Sequence, residues 1–239
     1  MKHNELTDNQ KYRILYKELL RSCSYITERN NRMLIKQAFI EVLRHFGNAT
    51  NTQGEFQLAH AVAVARITAD DMGLDTNSII SALLQQMPVT TPQQSETLKK
   101  RFGADTFNII RDLQLISGIR MDKITIMPEN FIQLLLSISG DIRVLLIKLA
   151  DRINLMRNID LLSVADQKQV STETHNLYSP LAHRLGLYKV KAELDDLAMQ
   201  HTMPEVYNSI KKKIEDTAKE QKKYFEEFIV PIRKSLQTA

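Results

Sequence analysis

The stretch Leu145-Leu146-Ile147-Lys148-Leu149-Ala150-Asp151-Arg152-Ile153-Asn154-Leu155-Met156-Arg157 decides how this chain is read. It is a helical run, apolar enough to lie in a core, with a carboxylate, Asp151, set inside it. An ionised carboxylate among apolar neighbours is costly unless a metal, a cation or several hydrogen-bond donors meet it. The nearby bases Lys148 and Arg152 offer a buried salt bridge. His60, in Leu58-Ala59-His60-Ala61-Val62, offers an imidazole from a different helix, and imidazole with carboxylate is a donor set that divalent metals use. Read alone, His60 is more readily a satisfied core histidine than a ligand.

Outward from that run the chain is punctuated as a series of helices. A first is expected over Leu6–Ser22 and a second over Glu28–Phe46, stopped by Gly47. Phe56–Met72 reads as a helix ending at Gly73. Asp75 or Thr76 can cap the next, which carries Ile79, Ile80, Leu83 and Leu84. Pro88 and Pro92 end it and bound a loop. Helices follow over Ser95–Phe102, Ala104–Ser117, Glu129–Ser139, Asp141–Arg157 and Val164–His183, where Pro180 marks a kink or a new start. Leu187–Gln200 and Glu205–Leu236 close the chain. Gly118–Pro128 reads as an excursion with weak strand character at Ile124 and Ile126. The last helix carries Lys211-Lys212-Lys213 and Lys222-Lys223 interleaved with acids, the pattern of a solvated face.

Composition agrees. The chain has 239 residues, 43% hydrophobic and 25% charged, with seven glycines, six prolines and no tryptophan. Long segments free of Gly and Pro, rich in Leu, Ile, Ala, Lys, Glu and Gln, favour an all-α protein with a substantial core. A net charge of +4 is too modest for a dedicated nucleic-acid binder, so no direct nucleic-acid binding is expected. One cysteine, Cys23, cannot close an internal disulfide, which fits a reducing compartment. The start is polar and no apolar run is long enough to span a bilayer, so no membrane partner and a cytoplasmic location are expected.

Three longer motifs then narrow the reading. The first is Gly54-Glu55 followed by His60, an Ala-Val-Ala run and Gly73-Leu74-Asp75-Thr76. The second is Asp141-Ile142-Arg143-Val144 continuing through Lys148 to Arg152. The third is Tyr178-Ser179-Pro180-Leu181-Ala182-His183-Arg184-Leu185-Gly186, then Lys191-Ala192-Glu193-Leu194-Asp195-Asp196-Leu197-Ala198. Together they resemble the hydrolase region of the RelA/SpoT family, the (p)ppGpp synthetase/hydrolases of the stringent response, over nearly the whole chain.

The resemblance implies a multi-helix HD-type bundle of the metal-dependent phosphohydrolase kind, with roughly ten helices. It also implies a site. Active members hold one manganese ion with a His, a His-Asp doublet and a distant Asp. His60 and Asp151 match the first and last. Gln85 and Gln86 stand at the doublet. Val89 and Thr90 stand where the family has a Glu-Asp pair that assists water activation. Asn51-Thr52-Gln53 replaces a basic nucleotide clamp, and Ile153-Asn154-Leu155 departs from the family's Leu-His-Asn. Lys148, Arg152 and Asn154 are the remaining candidates for nucleotide contact, with Arg143 and Arg157 the further cations on the same helix.

The expectation is therefore a catalytically degenerate hydrolase domain over residues 1–200. A C-terminal helix over 201–239 would lead toward a synthetase domain outside this chain, the chain being a piece of a longer GTP pyrophosphokinase. No cofactor is expected, or manganese if activity is retained. The attached synthetase domain and a guanine nucleotide are the implied partners. Two other readings stay open: a manganese-dependent (p)ppGpp 3′-pyrophosphohydrolase with a rearranged site, and a nucleotide-sensing domain that does not cleave its ligand. His183 is expected to be a hydrogen-bonded core residue, and Met156, Met199 and Met203 core fillers.

Overall fold

The computed structural model describes residues 8–47, 49, 56–118 and 128–237. Among them it contains twelve α-helices: α1 (Asp8–Ser22), α2 (Arg29–Phe46), α3 (Gln57–Asp70), α4 (Thr76–Leu84), α5 (Pro92–Phe102), α6 (Ala104–Ser117), α7 (Pro128–Ile138), α8 (Ile142–Arg157), α9 (Val164–Glu173), α10 (Ser179–Arg184), α11 (Tyr188–Thr202) and α12 (Pro204–Gln237). The first two residues of the expected opening helix, the Gly54-Glu55 and Asn51-Thr52-Gln53 motifs and nearly all of the expected excursion after Gly118 lie outside the described residues.

The helix ends follow the local chemistry. Gly47, at φ 49°, closes α2 in a conformation that a side chain would strain. The Asp75 carboxylate caps α4 by accepting from the Ser78 N–H at 2.9 Å. Pro92 does not bound a loop; it sits in the first turn of α5, where its missing N–H costs nothing. Thr91 and Gln94 form a reciprocal capping box around it. The segment expected as one helix over Val164–His183 is three pieces. α9 widens into a π-helical turn at Thr174–Tyr178, and Pro180 opens α10.

α3, α4 and α8 form the centre. α3 packs against both others, α1 and α2 cover α3 and α4, and α6 lies over α4 and α8. Each central helix is apolar on most of its circumference, so it is buried on several sides rather than along one stripe. Leu58, Ile79, Ile80, Leu83, Leu84, Leu145, Ile147, Leu149 and Ile153 are all fully buried. Each such side chain contributes ~1.5–3 kcal/mol of transfer free energy.

One cation fastens the edge of this core. The Arg143 guanidinium donates to Asp141 at 2.7 Å, to Asp105 at 2.8 Å and to Asp75 at 2.9 Å. It thereby joins the N-terminal ends of α8, α6 and α4. α12 differs from the rest: it meets the body chiefly through α11. Among the described residues no helix is long and apolar enough to cross a membrane.

Candidate functional site

His60 lies in the first turn of α3 and Asp151 in the middle of α8. Because α3 packs along α8, two residues 91 positions apart meet: His60 Nε2 is 2.9 Å from Asp151 Oδ1. The other carboxylate oxygen accepts from Lys148 Nζ at 3.1 Å. Lys148 is three residues earlier on α8, the spacing that puts two side chains on one helical face. Its ammonium also donates to Ser117 Oγ at 3.2 Å, at the end of α6.

The far side of the imidazole is held as well. Asn154 Nδ2 stands 2.9 Å from His60 Nδ1, and Asn158 Nδ2 donates to Asn154 Oδ1 at 3.2 Å. With its oxygen taken up by Asn158, the Asn154 amide presents its N–H to Nδ1. That places the imidazole proton on Nε2, facing the carboxylate. His60 is 8% exposed at its side chain and Asp151 27%. Burial pushes the Asp151 carboxyl upward, but the Lys148 ammonium and the His60 hydrogen bond outweigh it and hold it well below the usual carboxylate range. It is an ionised group with both oxygens engaged.

The other positions singled out in the sequence go elsewhere. Gln85 ends α4 and is buried, with its amide Nε2 unpartnered among the described residues; its backbone carbonyl accepts from Gln114 Nε2 at 3.4 Å. Gln86 is exposed. The Thr90 N–H donates to Gln94 Oε1 at 2.9 Å, part of the capping network of α5. Val89 lines a cavity of about 510 Å³ between α2 and α5, with Met87, Leu98 and Phe102.

Arg152 points away from Asp151. Its guanidinium lies 3.9 Å over the Tyr178 ring and donates to Glu173 at 3.3 Å and Thr174 at 3.4 Å, so it pins α8 to the π-helical turn. Arg157 pairs with Glu193 and Asp71. His183 is exposed, edge-on to Tyr188, and not the core residue its motif suggested. Met156 fills the core, whereas Met203 is exposed.

Of the residues singled out in the sequence, the structure brings His60, Lys148, Asp151 and Asn154 to one place and takes Arg152 elsewhere; Ser117 and Asn158, which join the cluster, were not among them. Asn158 was findable, since it follows Asn154 by one helical turn. Ser117 was not, since only packing puts α6 beside α8. As a cation site the cluster fits poorly. Among the described residues no group of three or more His, Cys, Asp or Glu side chains is arranged to hold a metal. The two that meet already satisfy each other and Lys148.

The helical fold and its family match define a class. The HD domain family matches residues 38–188, and the chain belongs to that family as an HD domain of the RelA/SpoT (p)ppGpp synthase/hydrolase kind. It is 32% identical over 206 residues to the bifunctional (p)ppGpp synthase/hydrolase SpoT of Escherichia coli K12, covering 86% of this chain and 29% of the relative. It is 30% identical over 204 residues to a guanosine-3′,5′-bis(diphosphate) 3′-pyrophosphohydrolase of Aquifex aeolicus, covering 85% and 29%. It is 31% identical over 207 residues to a GTP pyrophosphokinase of Myxococcus xanthus, covering 85% and 27%. The chain spans less than a third of the length of these relatives.

Proposed function

We propose that this HD domain is catalytically silent toward (p)ppGpp and serves as a regulatory or structural partner of a (p)ppGpp synthetase domain. The observation that carries the reading is the closed circuit at Asp151. Lys148 occupies one oxygen and His60 the other, while the doublet positions are held by Gln85 and Gln86. A neutral amide oxygen is a poor replacement for an imidazole or a carboxylate on a divalent ion. Loss of outer partners alone costs ~10–100-fold in metal affinity or activity, and loss of direct ligands costs at least as much. Without a bound metal, little in this cluster can generate hydroxide near neutral pH. Val89 and Thr90 bring no carboxylate to the same neighbourhood.

In this reading residues 1–200 are the domain proper, and the helix beyond leads toward the synthetase. Such a protein would work in the cytoplasm on guanine nucleotides. Incubating the purified chain with ppGpp and manganese is the test. Guanosine diphosphate should not accumulate above the uncatalysed rate, and turnover near ~1 s⁻¹ would overturn the proposal. One observation favours a rearranged hydrolase as the second reading: the two retained ligands do meet. Manganese copurifying in stoichiometric amount would favour it.

A further inference from the structure

α12 carries an apolar seam that the rest of the described chain does not cover. The helix runs 34 residues, Pro204–Gln237, about 51 Å at 1.5 Å per residue. None of its described side chains belongs to the buried core. Val206, Ile210, Ile214, Tyr224, Phe225, Phe228 and Ile229 are between 43% and 66% exposed. Ile210, Ile214, Tyr224 and Phe228 fall on one stripe at alternating spacings of three and four, through positions 207, 210, 214, 217, 221, 224 and 228; Val206 and Phe225 flank it, and Ile229 lies off it. Lys212, Asp216 and Lys219 lie on the opposite side. That is the seam of a two-stranded coiled coil. Tyr224, Phe225 and Phe228 alone leave on the order of 350 Å² exposed, given ~150–250 Å² for each such side chain. Ile210, Ile214 and the flanking Val206 bring the seam toward the ~800 Å² per partner of a stable interface.

We propose that a second copy of this chain packs on the seam, with the two α12 helices antiparallel about a two-fold axis at the level of Lys219. In that register Ile210 meets Phe228 of the second copy and Ile214 meets its Tyr224. The two-fold axis repeats both layers. Large rings thus lie against aliphatics. Between the layers Thr217 faces Gln221, a polar pair of the kind that fixes register at some cost in stability. Ala218 meets its own copy at the axis, where a small side chain lets the helices approach.

The flanking charges choose the direction. Antiparallel packing sets Lys213 beside Glu227 of the second copy, twice. Parallel packing would set Lys213 beside Ala218 and Glu220 beside Phe225, with no opposite charge for either. Antiparallel packing also brings Glu220 to its own copy, so the interface carries one like-charge contact.

Sedimentation equilibrium of the 239-residue chain between ~1 and ~100 μM tests this, a range that resolves dissociation constants in the micromolar region. A dimer is expected. I214D should make it monomeric with the helical circular dichroism retained. K213E should loosen the dimer by roughly five- to tenfold, since two symmetric pairs change at once, and K213E/E227K should restore it. E220Q should tighten it. A chain that stays monomeric at ~100 μM, or a dimer indifferent to the charge exchange, overturns the proposal. Neither result bears on hydrolytic silence.

Discussion

Gln85 and Asp151 carry opposite burdens. The amide of Gln85 is buried with no partner for its Nε2 among the described residues, and an unmet donor of that kind costs ~1–3 kcal/mol. Replacement by methionine, similar in volume and without the donor, should leave stability unchanged or raise the melting temperature. A fall of several degrees would mean that the amide has an acceptor. Asp151 is the reverse, a charge whose neighbours answer it. Asp151→Asn should cost about 2 kcal/mol at neutral pH in a denaturant titration. That is less than the ~3–5 kcal/mol of a wholly buried pair, because the carboxylate is partly exposed. The pH dependence has a definite sign. The folded carboxyl is held below its ordinary value, so its contribution is present above about pH 4, where an unfolded aspartate ionises. It is lost as the pH falls below that toward the folded value. The wild type should lose more stability than Asp151→Asn between pH 5 and pH 3, read as melting temperatures; equal losses would refute the link.

At the scale of elements, α3 and α8 matter because each contributes one half of the cluster. The doublet exchange tests whether α4 can still complete it. Gln85→His with Gln86→Asp should raise manganese affinity by at least ~10-fold over the wild type, measured by calorimetry. No gain would place the cause of silence in the backbone rather than in the amide pair. The helix N-termini around Arg143 are a second element-level device. Removing its side chain leaves Asp75, Asp105 and Asp141 facing one another at the ends of three helices. Arg143→Ala should cost about 1–2 kcal/mol, discounted because Asp75 and Asp105 are half exposed. Half a molar salt should shrink that difference by screening the repulsion.

Over the whole molecule the division is between a body built on α3, α4 and α8 and a helix, α12, outside the core cluster. Deleting residues 204–239 should therefore leave a cooperative thermal transition within a few degrees of the full chain, compared at a concentration at which the full chain is monomeric, since no described core side chain is removed. Collapse of the transition would mean that α12 is part of the domain. The proposed boundary near residue 200 falls inside α11, which continues to Thr202, so Met203 is the better place to cut.

The sequence by itself determined the helical class and the places where most helices begin and end, because those depend on neighbours along the chain. Apolar spacing, the Asp75 cap and the glycine stops act within a few residues. It also singled out Asp151, since a carboxylate in an apolar run needs an answer wherever the run is placed. It could not give the whole answer. On the helix Lys148, three residues before Asp151, shares its face, and Arg152, one residue after it, does not. What only the tertiary structure decides is that α3 brings His60 to the other oxygen and that the π-helical turn gives Arg152 the Tyr178 ring. The same holds for His183, which its motif placed in the core and the tertiary structure left in solvent.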